Sequence, residues 1–158
     1  MGVSGCGKSS VGRQLALTLN LDFIEGDEAH SAANVAKMTS GQPLTDADRH
    51  DWLRSLSAII GMAKEQGRGV VLSCSALKRT YREILRSGNQ NIFFVHLHGE
   101  KTLIADRLQA RSNHFMPLAL LDSQFADLEL LTPDEHGMTL SILPAPEDQV
   151  GILLGTRF

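Results

Sequence analysis

The sequence predicts an α/β fold, a parallel sheet with helices on both faces, and two observations carry that expectation. Strand-length apolar runs alternate with amphipathic stretches of helical period. The chain also opens on Gly2-Val3-Ser4-Gly5-Cys6-Gly7-Lys8-Ser9, a full match to G-x-x-x-x-G-K-[ST]. Glycines in that pattern let backbone N–H groups converge on phosphate oxygens, and a helix beginning at about Lys8 adds the positive end of its dipole. Lys8 then reaches the β- and γ-phosphates of a nucleotide, and the Ser9 hydroxyl takes one position on Mg²⁺. The cradle runs from Gly2 to Ser10.

Each element has a local reason. From Lys8 to Leu19 the apolar residues Val11, Leu15 and Leu19, with Ala16 beside them, recur at helical spacing. Residues 21–24 read as a short strand. A longer helix over Asp46 to Glu65 carries Trp52, Leu53, Leu56, Ile59, Ile60 and Ala63 on one side, and Gly67 and Gly69 end it. Residues 69–73 form a buried strand, 78–86 a helix, 92–97 a strand and 101–111 a helix with Leu103, Ile104 and Leu108. In such a sheet ligands bind at the carboxyl ends of the strands. One domain over residues 1–158 is the expectation, with no internal repeat or linker. The strand that ordinarily leads into a phosphate loop has only Met1 here, and the apolar run 150–155 stops soon after, so the domain is expected to lack its first strand and part of its last helix.

Composition narrows the partners. With 15 Lys plus Arg against 18 Asp plus Glu, the net charge is −3, so no broad basic surface points to nucleic acid or an anionic membrane. Any anionic substrate must be held by a local cluster. Two cysteines, Cys6 and Cys74, make no disulfide framework and fit a cytoplasmic location. There is no apolar run of about 18 residues and no signal-peptide pattern.

Several side chains outside the loop fit phosphoryl transfer. Glu25 and Asp27 follow a strand at a spacing of two, on one side and at its ligand-bearing end. Asp27 is positioned to accept the proton of an attacking hydroxyl, and Glu25 to hold a Mg²⁺-bound water. Lys78, Arg82 and Arg86 recur every four residues on one helix face. Lys78 and Arg82 are expected to bind a carboxylate or phosphate and Arg86 to lie at the surface. Arg107 and Arg111, followed by the proline-containing break 112–117, suit a small lid whose arginines fold over the γ-phosphate. His96 and His98 share a strand face without a third metal ligand. His30, His50 and His136 have no more support as metal ligands.

The run Asn34-x-x-Lys37-Met38-x-x-Gly41-x-Pro43-Leu44-x-Asp46-x-Asp48-Arg49-x-x-Trp52-Leu53 closely resembles gluconokinases of the phosphate-loop type, relatives in fold of shikimate kinase and the nucleoside monophosphate kinases. Three further stretches agree, in order: Cys74-Ser75-Ala76-Leu77-Lys78-x-x-Tyr81-Arg82, His114-Phe115-Met116-Pro117 and Ser123-Gln124-Phe125-x-x-Leu128-Glu129. The resemblance implies a three-layer P-loop NTPase fold of nucleoside monophosphate kinase type with a small lid. It implies ATP- and Mg²⁺-dependent phosphorylation of D-gluconate at its 6-hydroxyl and, commonly, a homodimer. Residue by residue, it implies Lys8 and Ser9 at the triphosphate, Asp27 as the substrate-facing acid, and Arg107 and Arg111 on the lid. It lines the gluconate pocket with Arg49, Lys78, Arg82 and His114. The family usually has Asp at Glu25 and Pro at Ser31; the second difference is expected to loosen a helix start.

A phosphate-loop kinase for shikimate, another sugar acid or a nucleoside monophosphate is the nearest rival, but no Gly-Gly-Gly stretch of the shikimate kinase kind occurs. A nucleotide-hydrolysing switch lacks its Asn-Lys-x-Asp element, and the strand ending at Ser73 is not followed by the acid such ATPases place there. A non-catalytic binding module is at odds with intact Lys8, Ser9 and Asp27.

Overall fold

The computed structural model describes residues 1–110 and 119–156. Arg111 and His114 therefore lie outside the described residues. The phosphate loop leads into α1 (Lys8–Leu19), then β1 (Asp22–Glu25), a 3-10 turn (Gly26–Ala29), α2 (Ala32–Thr39), α3 (Asp46–Glu65) and β2 (Val70–Ser73). The second half runs α4 (Arg79–Arg86), β3 (Phe94–His98), α5 (Lys101–Gln109), α6 (Ala119–Asp127), β4 (Gly137–Ser141) and α7 (Pro146–Gly155).

β1 pairs with β2 in parallel, Asp22 opposite Val70, and β3 pairs with β4 in parallel, Phe94 opposite Gly137. Between the two pairs runs the start of the chain. Leu97 N–H donates to Met1 O at 3.0 Å and Gly2 N–H to Ser75 O at 3.0 Å, so Met1 and Gly2 bridge β3 and the end of β2. Beside them a cavity of about 370 Å³, lined by Val71, Leu72, Phe94 and Val95 among others, separates the inner edges of β2 and β3. The Met1 ammonium donates to Val95 O, and burial lowers its pKa to about 6.

Alternation along the strands sends neighbours to opposite faces. Val71 and Val95 pack with Val11, Leu15, Ile104, Leu108, Val150 and Leu153, the core under α1, α5 and α7. Leu72 and Phe94 pack with Trp52, Leu53, Leu56, Tyr81 and Leu85, the core under α3 and α4. Two apolar layers on either side of parallel strands are the three-layer arrangement that the alternating pattern predicts.

Local chemistry explains the helix starts. Thr45 and Asp48 cap each other at the head of α3, Thr45 N–H donating to Asp48 Oδ2 at 2.9 Å and Asp48 N–H to Thr45 Oγ1 at 3.2 Å. Its buried stripe is Arg49, Trp52, Leu53, Leu56, Ile60 and Ala63, whereas Ile59, expected on that stripe, is exposed. α2 was not legible in the apolar pattern, and Ser31 initiates it rather than loosening it. The Ser31 hydroxyl accepts the Asn34 N–H at 3.2 Å, the bond a good N-cap makes.

Candidate active site

The phosphate loop holds its shape by left-handed glycines. Gly5 sits at φ 83°, and a Cβ there would meet Leu108 Cγ at 2.7 Å, so no larger residue fits. Gly7, at φ 97°, forms the start of α1 with no side-chain cap, and the first turn of the helix has no acidic residue. The N–H groups at that end are thus left for an anion. Lys8 folds back over the loop, its Nζ donating to Val3 O at 3.0 Å.

Strand β1 delivers Asp27 through the 3-10 turn to the mouth of a cavity of about 250 Å³. Ser4 and Lys8 of the loop, Asp27, His30 and Arg49 line it, together with Ser75 and Leu77 from the segment after β2 and Gln124 from α6. Its apolar walls are Val35, Met38, Pro43, Leu44 and Leu120. Gln124 ties α6 to the loop, its Oε1 accepting the Ser4 N–H at 2.6 Å.

A chain of alternating charges fixes the arginine of the lining. The Arg49 guanidinium donates to Tyr81 OH at 3.0 Å and to Asp127 Oδ2 at 3.1 Å. Lys78 Nζ lies 2.8 Å from Asp46 Oδ1 and 3.5 Å from Asp127 Oδ1, and Tyr81 OH donates to Asp46. The hydrogen bond that Lys78 donates to Asp46 raises the Lys78 pKa, and the same bond lowers that of Asp46. Burial raises the Tyr81 phenol, and Asp46 adds to the effect. Arg49 is buried while Lys78 stands at the rim, outside the cavity lining.

Arg82, expected at the anionic substrate, is buried: its side chain is 0% exposed and faces inward. Nε and Nη2 grip Glu135 Oε1 and Oε2 at 2.6 and 2.8 Å, and Nη1 donates to the carbonyls of Ala76, Leu77 and Glu129 at 3.2, 3.0 and 3.1 Å. With every donor direction used inside the protein, Arg82 braces the backbone behind the cavity instead of lining it. Ala76 needs the bracing, since its φ of 42° is left-handed for a residue with a Cβ. Arg86, expected at the surface, lies over the Phe94 ring at 5.2 Å.

Other expected residues are dispersed. Glu25 ends β1, its carboxylate 3.9 Å from the Arg13 guanidinium and outside the cavity lining. Arg107 donates to Ile142 O at 2.9 Å. Among the described residues no trio of His, Cys, Asp or Glu forms a metal cage. Ser9 stands on the first turn of α1 and Glu25 at the end of β1. His30 and Gln124 were missed as cavity residues. A short polar stretch after a strand and an acid-bearing turn was the only sequence sign of the first, and the second stood in a recognised stretch without an assigned role.

A phosphate loop at the carboxyl ends of parallel strands, opening onto a cavity whose lining includes an acid and a buried arginine, defines a phosphate-loop phosphotransferase. A family model described as shikimate kinase matches residues 4–136. The chain is 52% identical over 141 residues to a gluconokinase of Gluconobacter oxydans, covering 89% of this chain and 79% of that one. A solved sugar kinase from Janibacter sp. HTCC2649 superposes with a TM-score of 0.95 at 44% identity, over 98% of this chain and 90% of that one. A gluconokinase structure from Sinorhizobium meliloti gives 0.85 at 42% identity, over 98% and 87%. The chain belongs to the gluconokinases, within the shikimate kinase family, and is an enzyme of the phosphotransferase class.

Proposed function

We propose that the enzyme transfers the terminal phosphoryl group of ATP to the 6-hydroxyl of D-gluconate, giving 6-phosphogluconate and ADP. The observation that carries this reading is that Lys8, Asp27 and Arg49 line one cavity of about 250 Å³. Transfer needs positive charge at the phosphoryl group, an acceptor for the hydroxyl proton and a counter-ion for the substrate carboxylate. Those three side chains answer the needs in turn.

In this reading Lys8 and the loop amides from Gly2 to Ser10 bind the phosphates. Asp27 accepts the hydroxyl proton as oxygen attacks phosphorus and the bond to ADP breaks. Arg49 binds the carboxylate, with Lys78 adding charge at the rim. Arg82 acts from behind, by holding the Ser75–Leu77 backbone where it faces the substrate. Ser9 and Glu25 would hold Mg²⁺, which when bound neutralises charge on the phosphates. Arg107 and Arg111 would meet the phosphates as lid arginines, and His114 would join the gluconate-binding groups. A net charge of −3 supports a small-molecule substrate over nucleic acid or an anionic membrane, and among the described residues no helix is long and apolar enough to cross a membrane.

ADP release from Mg-ATP, measured with D-gluconate, other sugar acids, shikimate and no acceptor, tests the proposal. Turnover that requires both D-gluconate and Lys8 supports it. Preference for shikimate, or turnover without acceptor, rejects it.

A further inference from the structure

His30 has a geometry that neither metal binding nor packing accounts for. Its ring stacks on Trp52 with centroids 4.0 Å apart at 19°. Trp52 is itself fixed, since it is 4% exposed and its indole Nε1 donates to Gly26 O at 2.7 Å. The His30 backbone N–H donates to Asp27 O at 3.3 Å, which closes the 3-10 turn. The imidazole is therefore held at the cavity wall by a stack on one side and a turn on the other. Its Nδ1 is buried and has no hydrogen-bond partner among the described residues.

Two charged residues of the same lining act on the ring. Asp27 and Arg49 act on its titration in opposite directions, and burial, the largest effect, lowers its pKa and keeps the ring neutral at neutral pH. A neutral imidazole offers a donor at one nitrogen and an acceptor at the other, and a hydroxyl, which both donates and accepts, can pair with either without any charge on the ring. The cavity that Asp27 and Arg49 line thus carries a fixed polar group besides them.

We propose that His30 reads a hydroxyl in the interior of the polyol chain, between the carbon that receives the phosphoryl group at Asp27 and the carboxylate at Arg49. His30 then selects sugar acids that carry this hydroxyl over analogues that lack it. The inference rests on the functional reading above, and it makes His30 a specificity-determining residue rather than a proton carrier.

The test compares kcat/KM on D-gluconate with kcat/KM on its 2-, 3-, 4- and 5-deoxy analogues, for the wild-type enzyme, His30→Phe and His30→Asn. Phe keeps the stack on Trp52 and removes the hydrogen bonds; Asn keeps a donor and an acceptor. A site built to hydrogen-bond a hydroxyl rejects the analogue lacking it strongly. The wild-type enzyme should therefore disfavour one interior deoxy acid by about 100-fold or more. His30→Phe should lose a similar factor on D-gluconate and little on that analogue, so discrimination collapses, while KM for ATP and the melting temperature hold. His30→Asn should recover part of it, and it carries the test alone if the Phe variant does not fold. An equal loss on every acid, or discrimination that survives both substitutions, overturns the inference. Wild-type enzyme that ignores D-gluconate instead overturns the functional reading beneath it.

Discussion

Replacing Arg82 by Met separates a structural brace from a substrate contact. The guanidinium and Glu135 form a two-pronged pair in which both side chains are 0% exposed. Met fills similar volume but leaves the carboxylate with only Thr132, whose N–H and hydroxyl each lie 3.2 Å from Oε2. Breaking a buried pair from one side costs about 3–5 kcal/mol, against a total stability of about 5–15 kcal/mol for a domain. The pH dependence gives an independent figure. Hydrogen bonds from Arg82 are the main reason the Glu135 carboxyl is lowered from an ordinary 4.5 to about 2. A lowered carboxylate contributes stability that is fully present above the unfolded value and is lost as pH falls from about 4.5 toward 2. That gap corresponds to on the order of 3 kcal/mol, in line with the first figure. Urea unfolding at pH 7 should show a lower midpoint with an unchanged slope for Arg82→Met, and its stability should vary less between pH 5 and pH 3 than that of the wild type. The double variant Arg82→Met with Glu135→Leu should regain much of the loss, since a buried pair replaced by apolar groups is often neutral. Stability within about 1 kcal/mol of wild type, with a selective rise in KM for D-gluconate, would refute the brace and restore Arg82 to the substrate.

Three other substitutions probe the loop and the charge chain. Lys8→Ala should lower kcat by about 100-fold or more and leave urea stability nearly unchanged, because among the described residues its Nζ bonds only to Val3 O; near-normal turnover counts against the phosphate-loop role. Gly5→Ala must adopt φ 83° and displace Leu108, so it should destabilise the fold by about 1–3 kcal/mol, seen as a lower melting temperature. Asp127→Asn removes the acid shared by Arg49 and Lys78, so KM for D-gluconate should fall a few-fold at low salt and the gain should fade as salt rises; an unchanged or higher KM would place the carboxylate elsewhere.

Local signals made the loop and most of the elements legible. The glycine spacing, the apolar face of α3 and the strand runs are written within a few residues of one another. α2, α6 and β4 were not, because helices of eight and nine residues and a five-residue strand opening on Gly137 give too few apolar repeats to show a period. Strand order was legible only as alternation. That the start of the chain lies between β2 and β3 is a fact of long-range hydrogen bonds.

The cationic row shows why burial was harder to read than position. Four residues at 100° each advance a helix by 400°, so every step of the row turns it 40° around the axis, and eight residues turn it 80°. Lys78 is not on the helix at all; it is the residue before it, in extended backbone, and reaches out to Asp46 and Asp127. Arg82, one step on, points into the protein, where Glu135 and the carbonyl of Glu129 await it from 53 and 47 residues away. Arg86, a further step on, lies against Phe94 on the sheet. Spacing alone placed three cations near one line. Their separate fates depend on which distant groups supply an acid, a set of carbonyls or an aromatic ring, and helical periodicity holds no information about those partners.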